Sequence, residues 1–168
     1  LKAVKHCLTG IEWSLSCGTL LGAMREGDVI EYDIDVDTLL HYKYVDKLTE
    51  MAPKIIECLT RQGCRARLVT EYQPNFIQLS YKGCPGHIGL AGKSYWKWKF
   101  FEGKMRTVNI RGVDFPIPEK AEELLTIRYG NWKEHLSHEA WMRLWKDERE
   151  AIHIKYNLDN KDKLKNMK

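Results

Sequence analysis

The sequence predicts one α+β domain in which a β-sheet is flanked by helices. Three observations lead there. Segments with apolar residues at spacings of three and four alternate with segments that alternate apolar and polar residues, the periods of helix and strand respectively. Two of the strand-like segments are joined by turn chemistry, so part of the sheet is antiparallel. Finally, 168 residues with 43% hydrophobic and 11% aromatic side chains are enough for one core and too few for an array of domains.

Val4, Leu8, Ile11 and Leu15 recur at helical spacing and predict a first helix that runs towards a strand near Trp13 to Cys17. Gly18 interrupts that pattern. Leu20, Leu21, Ala23 and Met24 read as a short helix ended by Gly27, with a strand expected from Val29 to about Leu39. From Tyr42 to Gln62 the apolar positions Val45, Leu48, Ala52, Ile55, Ile56 and Leu59 predict a helix that Pro53 kinks or divides and Gly63 caps.

Arg65 to Glu71 and Phe76 to Lys82 read as strands joined through Gln73-Pro74-Asn75. Residues 83 to 106, rich in Gly, Lys and aromatics, carry no assignable period. Thr107 to Ile117 reads as a hairpin about Arg111-Gly112, after which Pro118 opens a helix through Ala121, Leu124, Leu125 and Ile127 that Gly130 stops. A last helix is expected from Ser137 as N-cap, with Leu136 and Trp141 as a hydrophobic staple. The expected domain is 1–156, and the Lys-, Asn- and Asp-rich residues 157–168 form a charged, frayed tail.

The chemistry concentrates in Ile30-Glu31-Tyr32-Asp33-Ile34-Asp35-Val36-Asp37. On a strand, Ile30, Tyr32, Ile34 and Val36 would face one way and Asp33, Asp35 and Asp37 the other. Carboxylates about 7 Å apart on one face repel one another and suit a divalent, oxygen-seeking cation, Mg²⁺ or Mn²⁺. A calcium loop of the EF-hand type is excluded, because Thr38 and Tyr44 stand where it needs Gly and Glu. A sugar-nucleotide glycosyltransferase is disfavoured by the roughly thirty preceding residues, too few for the nucleotide-binding βαβ units that come before its acidic motif.

Just upstream, Gly18-Thr19 opens a helix and offers backbone N–H groups, a hydroxyl and the positive end of a helix dipole, a setting for phosphate. The run from Gly18-Thr-Leu-Leu-Gly-Ala-Met-Arg25 to Gly27-Asp-Val-Ile-Glu-Tyr-Asp-Ile-Asp-Val-Asp37 resembles the LicD/fukutin family of the nucleotidyltransferase superfamily, which includes the fukutin-related ribitol-phosphate transferases. Val113-Asp-Phe-Pro-Ile-Pro118 and Leu124-Leu-Thr-Ile-Arg-Tyr-Gly-Asn-Trp132 extend the resemblance, which covers about residues 5 to 135.

The resemblance implies a nucleotidyltransferase-like mixed β-sheet flanked by helices. It implies a CDP-linked donor of the CDP-choline or CDP-ribitol type and a glycan or glycoconjugate acceptor, with transfer of phosphocholine or a polyol phosphate to a sugar hydroxyl. Carried over, Asp35 and Asp37 are the metal ligands and Asp33 a third ligand or supporting acid. Gly18 and Thr19 hold the donor phosphate, and Arg25 neutralises it or braces the acidic strand. Two positions depart from the family. Glu31 replaces a proline, and Gln78 stands where the fold carries its third carboxylate, a place in which a neutral amide cannot serve as general base. The alternatives are nucleotidyl transfer to a small acceptor and a degenerate, donor-binding or regulatory domain.

Other signals are weaker. Gly86 to Ser94 misses the Walker spacing, because His87 occupies a required glycine position. The same stretch can be read as a substrate loop in which Lys93 and Lys97 face anionic phosphates. Cys84-Pro-Gly-His87 has zinc-knuckle spacing that Cys58 and Cys64 could complete, and the five cysteines leave room for one bridge with free thiols. No hydrolase motif is present. A net charge of +4 from 27 basic and 23 acidic residues, interleaved along the chain, argues against nucleic acid as a partner. No apolar run is long enough to span a bilayer, and no signal peptide is visible. The chain starts at Leu1 and reads as cut from a longer protein. Its compartment is left open: cytoplasmic for a bacterial protein, the Golgi or secretory lumen for a eukaryotic fragment.

Overall fold

The computed structural model describes residues 1–71, 75–90 and 104–135, with Ser137 and Glu139. The substrate loop of Lys93 and Lys97, the Gln73-Pro74 turn, the helix expected from Ser137 and the charged tail lie outside these residues.

The described chain runs α1 (Lys2–Cys7), β1 (Trp13–Leu15), α2 (Cys17–Arg25), β2 (Val36–Leu40), α3 (Leu48–Arg61), β3 (Arg65–Val69), β4 (Phe76–Tyr81), β5 (Cys84–Leu90), β6 (Met105–Ile110), β7 (Val113–Pro118) and α4 (Ala121–Tyr129). Five strands form one sheet in the order β1-β2-β5-β4-β3, and β6 with β7 forms a separate hairpin. The β2–β5 pair is parallel and the other neighbours are antiparallel. The sheet is therefore mixed, as expected.

Strand alternation divides the residues of this sheet. Thr38, Leu40, Ile77, Leu79, Ile88 and Leu90 lie on one face and are buried, where Val4 and Leu8 of the first helical segment and Leu48, Ala52, Ile55 and Leu59 of α3 complete the core. A disulfide between Cys7 and Cys58 ties α1 to α3 on that side. On the other face, α2 and α4 lie over the β1–β2 end, where Leu20, Leu124 and Leu125 line one small space with Ser14 and Leu39. The rest of that face carries the half-buried His87 and Gln78 and the exposed Arg67.

Several boundaries differ from the sequence expectation. Leu15 belongs to β1 rather than to the first helix, because a turn at residues 8–10 ends α1 early. Pro53 sits in the first turns of α3 without dividing it. Pro118 closes β7, and α4 starts three residues later. The unassigned stretch after residue 83 begins with a full strand. Lys82 and Gly83 take φ of +49° and +87°, and Arg111 and Gly112 take +50° and +78°. These are type I′ turns, whose twist matches that of the strands they join, and glycine meets the second left-handed position without penalty.

The largest departure concerns the acidic segment. The strand begins only at Val36, and residues 29–35 form an irregular loop. Ile30 is 4% exposed and Ile34 77% exposed, so these residues do not share a face. Alternation fails because the loop is folded against α2, not paired in the sheet.

Candidate active site

Helix α2 receives that loop on two glycines four residues apart, hence on one face. A Cβ on Gly18 would stand 2.6 Å from Asp33 Oδ2, and one on Gly22 would stand 2.7 Å from the Asp28 carbonyl oxygen and 2.8 Å from the Ile30 nitrogen. Ile30 anchors the loop in the core, and its carbonyl accepts the Asp33 N–H at 3.0 Å. The Asp37 N–H donates to Thr19 Oγ1 at 2.9 Å, and Ser16 N–H donates to the Asp37 carbonyl at 3.0 Å. The start of α2 and the start of β2 are thus fastened to each other at the acidic residues.

Asp33 and Asp35 come from the loop and Asp37 from β2, and the three carboxylates lie close enough to affect one another's ionisation. Burial, and then the charge of Asp35, raises the pKa of Asp33 from 3.8 to about 7. Asp35 is raised as well, by burial and by Asp37. A hydrogen bond between Asp33 and Asp35 holds the proton on Asp33. Carboxyls that would rather share a proton than ionise together form a site that a cation can relieve.

The third group of the cluster was not among the expected ligands. Parallel pairing sets Asp37 opposite His87, whose Nδ1 lies 3.4 Å from Asp37 Oδ1 and 3.8 Å from Asp35 Oδ2. Ligand atoms of Asp35, Asp37 and His87 all lie within 4.8 Å of one another, so one ion could bind all three. Two carboxylate oxygens and an imidazole nitrogen fit a divalent metal. The sequence signal for His87 was its place in Cys84-Pro-Gly-His87, read there as zinc-knuckle spacing. Cys58 is consumed in the disulfide and cannot complete that knuckle.

Beyond His87 the same row of the sheet continues to Gln78 and Arg67. Gln78 Oε1 accepts from Arg67 Nε at 3.0 Å, which holds the amide to the side of the acidic cluster.

The phosphate-binding residues divide. Ser16 N-caps α2 without a side-chain hydrogen bond, and Cys17 turns into the helix with a left-handed φ of +51°. The N–H groups of Gly18 and Thr19, in the first turn, have no acceptor within the helix. Thr19 is 1% exposed and its hydroxyl oxygen accepts from the Asp37 N–H, so this residue seats Asp37 instead of facing a ligand, and of the two expected phosphate-binding residues only the half-buried Gly18 is accessible. Arg25 lies about 10 Å along the helix from Gly18. Its guanidinium is bound to Glu26 and to the Glu134 carbonyl, which makes it a brace at the far end of α2.

The profile described as LicD/FKTN/FKRP, nucleotidyltransferase domain, matches residues 10–104, more than half of the chain. The chain belongs to the LicD/FKTN/FKRP family. Among solved structures, the LicD-family chain is similar to ANT(2")-Ia in complex with adenylyl-2"-tobramycin, at a TM-score of 0.52 and 11% identity over 95% of each chain. It is also similar to the solution structure of the antibiotic-resistance factor ANT(2")-Ia, at a TM-score of 0.50 and 10% identity over 99% of this chain and 91% of that one. No curated protein sequence matches. The fold is that of a nucleotidyltransferase, and membership of the LicD family supports a transferase acting on nucleotidyl or phosphate groups. No helix among the described residues is long and apolar enough to cross a membrane.

Proposed function

We propose that this domain is a metal-dependent transferase that moves a phosphate-bearing group, phosphocholine or a polyol phosphate, from a CDP-activated donor to a glycan hydroxyl. The observation that carries the reading is the convergence of Asp35, Asp37 and His87 within 4.8 Å. Mg²⁺ or Mn²⁺ would be held by Asp35, Asp37 and His87 with Asp33 in support, and the imidazole favours Mn²⁺ of the two. The ion would supply electrostatic stabilisation of charge on the departing nucleotide phosphate.

The chain's own groups do the rest. The Gly18 N–H binds a phosphate oxygen, the helix dipole favours the negative charge there, and the buried Thr19 supports the site by seating Asp37. Asp33, beside Asp35 at the edge of the cluster and ionised once the cation relieves the repulsion, takes the proton of the acceptor hydroxyl. In this reading Asp33 compensates for Gln78, whose amide is turned to Arg67.

Titration with CDP-choline, CDP-ribitol and CTP, each with Mg²⁺, with Mn²⁺ and with chelator, tests the assignment. Metal-dependent binding of a cytidine nucleotide is the expected result, and its absence under every condition would end the donor assignment. Product analysis separates the nearest alternative, since phosphate-group transfer releases CMP whereas nucleotidyl transfer leaves nucleotide on the acceptor. A degenerate domain would bind without turnover and gain activity on Gln78→Asp.

A further inference from the structure

We propose that Arg128 is the cationic residue that contacts the donor's phosphate, a part that the sequence assigned to Arg25. The inference rests on the transferase reading but adds to it a residue from a different element. Arg128 lies in the last turn of α4, and together with Ser16 and Cys17 of the α2 entry it lines a small enclosed space at the junction of the two helices. Its Nε is buried and has no hydrogen-bond partner. Among the described residues no carboxylate forms an ion pair with it; Arg65 and Arg67 also lack one, but those two are exposed to solvent, whereas Arg25, Arg61, Arg106 and Arg111 are each paired.

An arginine fork sealed against protein on one edge, without an anion of its own, is an expensive arrangement unless a ligand completes it. The Arg128 guanidinium lies 5.5 Å from the centre of the Tyr129 ring, and an arginine stays protonated at any physiological pH. Ser16 and Cys17, which line the same space, place Arg128 at the entry to α2. An anion at the entry to α2 would therefore meet the Gly18 N–H, the helix dipole and a planar guanidinium together. Guanidinium geometry suits two oxygens of one phosphate, which a lysine at the same place would not reproduce.

The chemistry recognised is a phosphate or pyrophosphate oxygen pair. It could belong to a nucleotide donor or to a free anion, so the probes are CTP, inorganic pyrophosphate and Mn²⁺ alone. Calorimetric titration of the parent and of Arg128→Lys is expected to show at least tenfold weaker binding of both CTP and pyrophosphate in the variant, with Mn²⁺ affinity kept within twofold. Equal affinities in the two proteins, or an equal loss of Mn²⁺ binding, would overturn the proposal. A second measurement needs no variant: in ¹⁵N-arginine-labelled parent protein, the Arg128 Nε–H resonance should shift on addition of pyrophosphate and exchange more slowly with water. If CTP bound and that resonance stayed in place, Arg128 would not be the phosphate contact while the transferase reading stood. Pyrophosphate moving it without competition from CTP would keep this inference and remove the nucleotide donor.

Discussion

Replacing Asp33 by Asn should stabilise the metal-free protein above neutral pH while weakening its metal site. The Asp33 carboxyl packs against Gly18, shares a proton with Asp35, and titrates near 7 instead of 3.8. Because the folded-state pKa is raised, the stabilisation from the protonated form is complete below about pH 4. It is lost as pH rises through about 7. At ~1.4 kcal/mol for each pKa unit the whole effect is at most about 4 kcal/mol. Asp33 is only partly buried, and solvent screening reduces the expected effect to about 1–2 kcal/mol. Asn stays neutral throughout and can still donate to Asp35, so it should escape that loss. Thermal melts in chelator from pH 4 to 8.5 should show parent and Asp33→Asn close together at the acid end. The variant should melt higher by roughly 3–6 °C at pH 8. Adding Mn²⁺ should reverse the order at pH 8, since the ion favours the ionised carboxylate of the parent. A difference between the two proteins that did not change with pH would refute the shared-proton account.

Asp35→Asn and Asp37→Asn should each fold, melt no lower than the parent in chelator, and lose the melting increment given by Mn²⁺ with nucleotide, together with turnover; full activity in both variants would make the acidic cluster structural. Gly18→Ala presses a methyl on the Asp33 side chain, which can swing away, whereas Gly22→Ala presses one on the backbone at Asp28 and Ile30. Chemical denaturation should therefore cost Gly22→Ala about 2–3 kcal/mol and Gly18→Ala less, with Mn²⁺ affinity falling in Gly18→Ala; the opposite order of stabilities would count against the way the loop is seated. The Cys7–Cys58 bridge spans 51 positions, and a loop of that length is worth about 4 kcal/mol in the chain-entropy account. Reduction should lower the melting temperature by roughly 10 °C, Cys7→Ser should be insensitive to reductant, and the unreduced, denatured parent should titrate three thiols, those of Cys17, Cys64 and Cys84.

Local pattern and local chemistry were enough for α2, α3, the β3–β4 pair, the β6–β7 hairpin and the convergence of Asp35 and Asp37, because each depends on residues a few positions apart. Helical spacing, turn residues and alternating burial are properties of a short window, and the family motif lies within one such window. Tertiary structure alone decided which residues join that window from elsewhere. His87 reaches Asp37 because β5 enters the sheet parallel to β2 from fifty residues away, and nothing in the alternation of β5 announces its neighbour. Arg128 reaches the start of α2 because α4 packs over the β1–β2 end of the sheet, while Arg25, closer in sequence, is carried about 10 Å off by the rise of its own helix. The acidic segment looked like a strand from residue 29 because Ile and Asp alternate there. It becomes a loop up to Val36 because Gly18 and Gly22 leave room for backbone and carboxylate against α2. A sequence period records which side chains could share a face, whereas close packing determines whether that backbone has a strand to pair with.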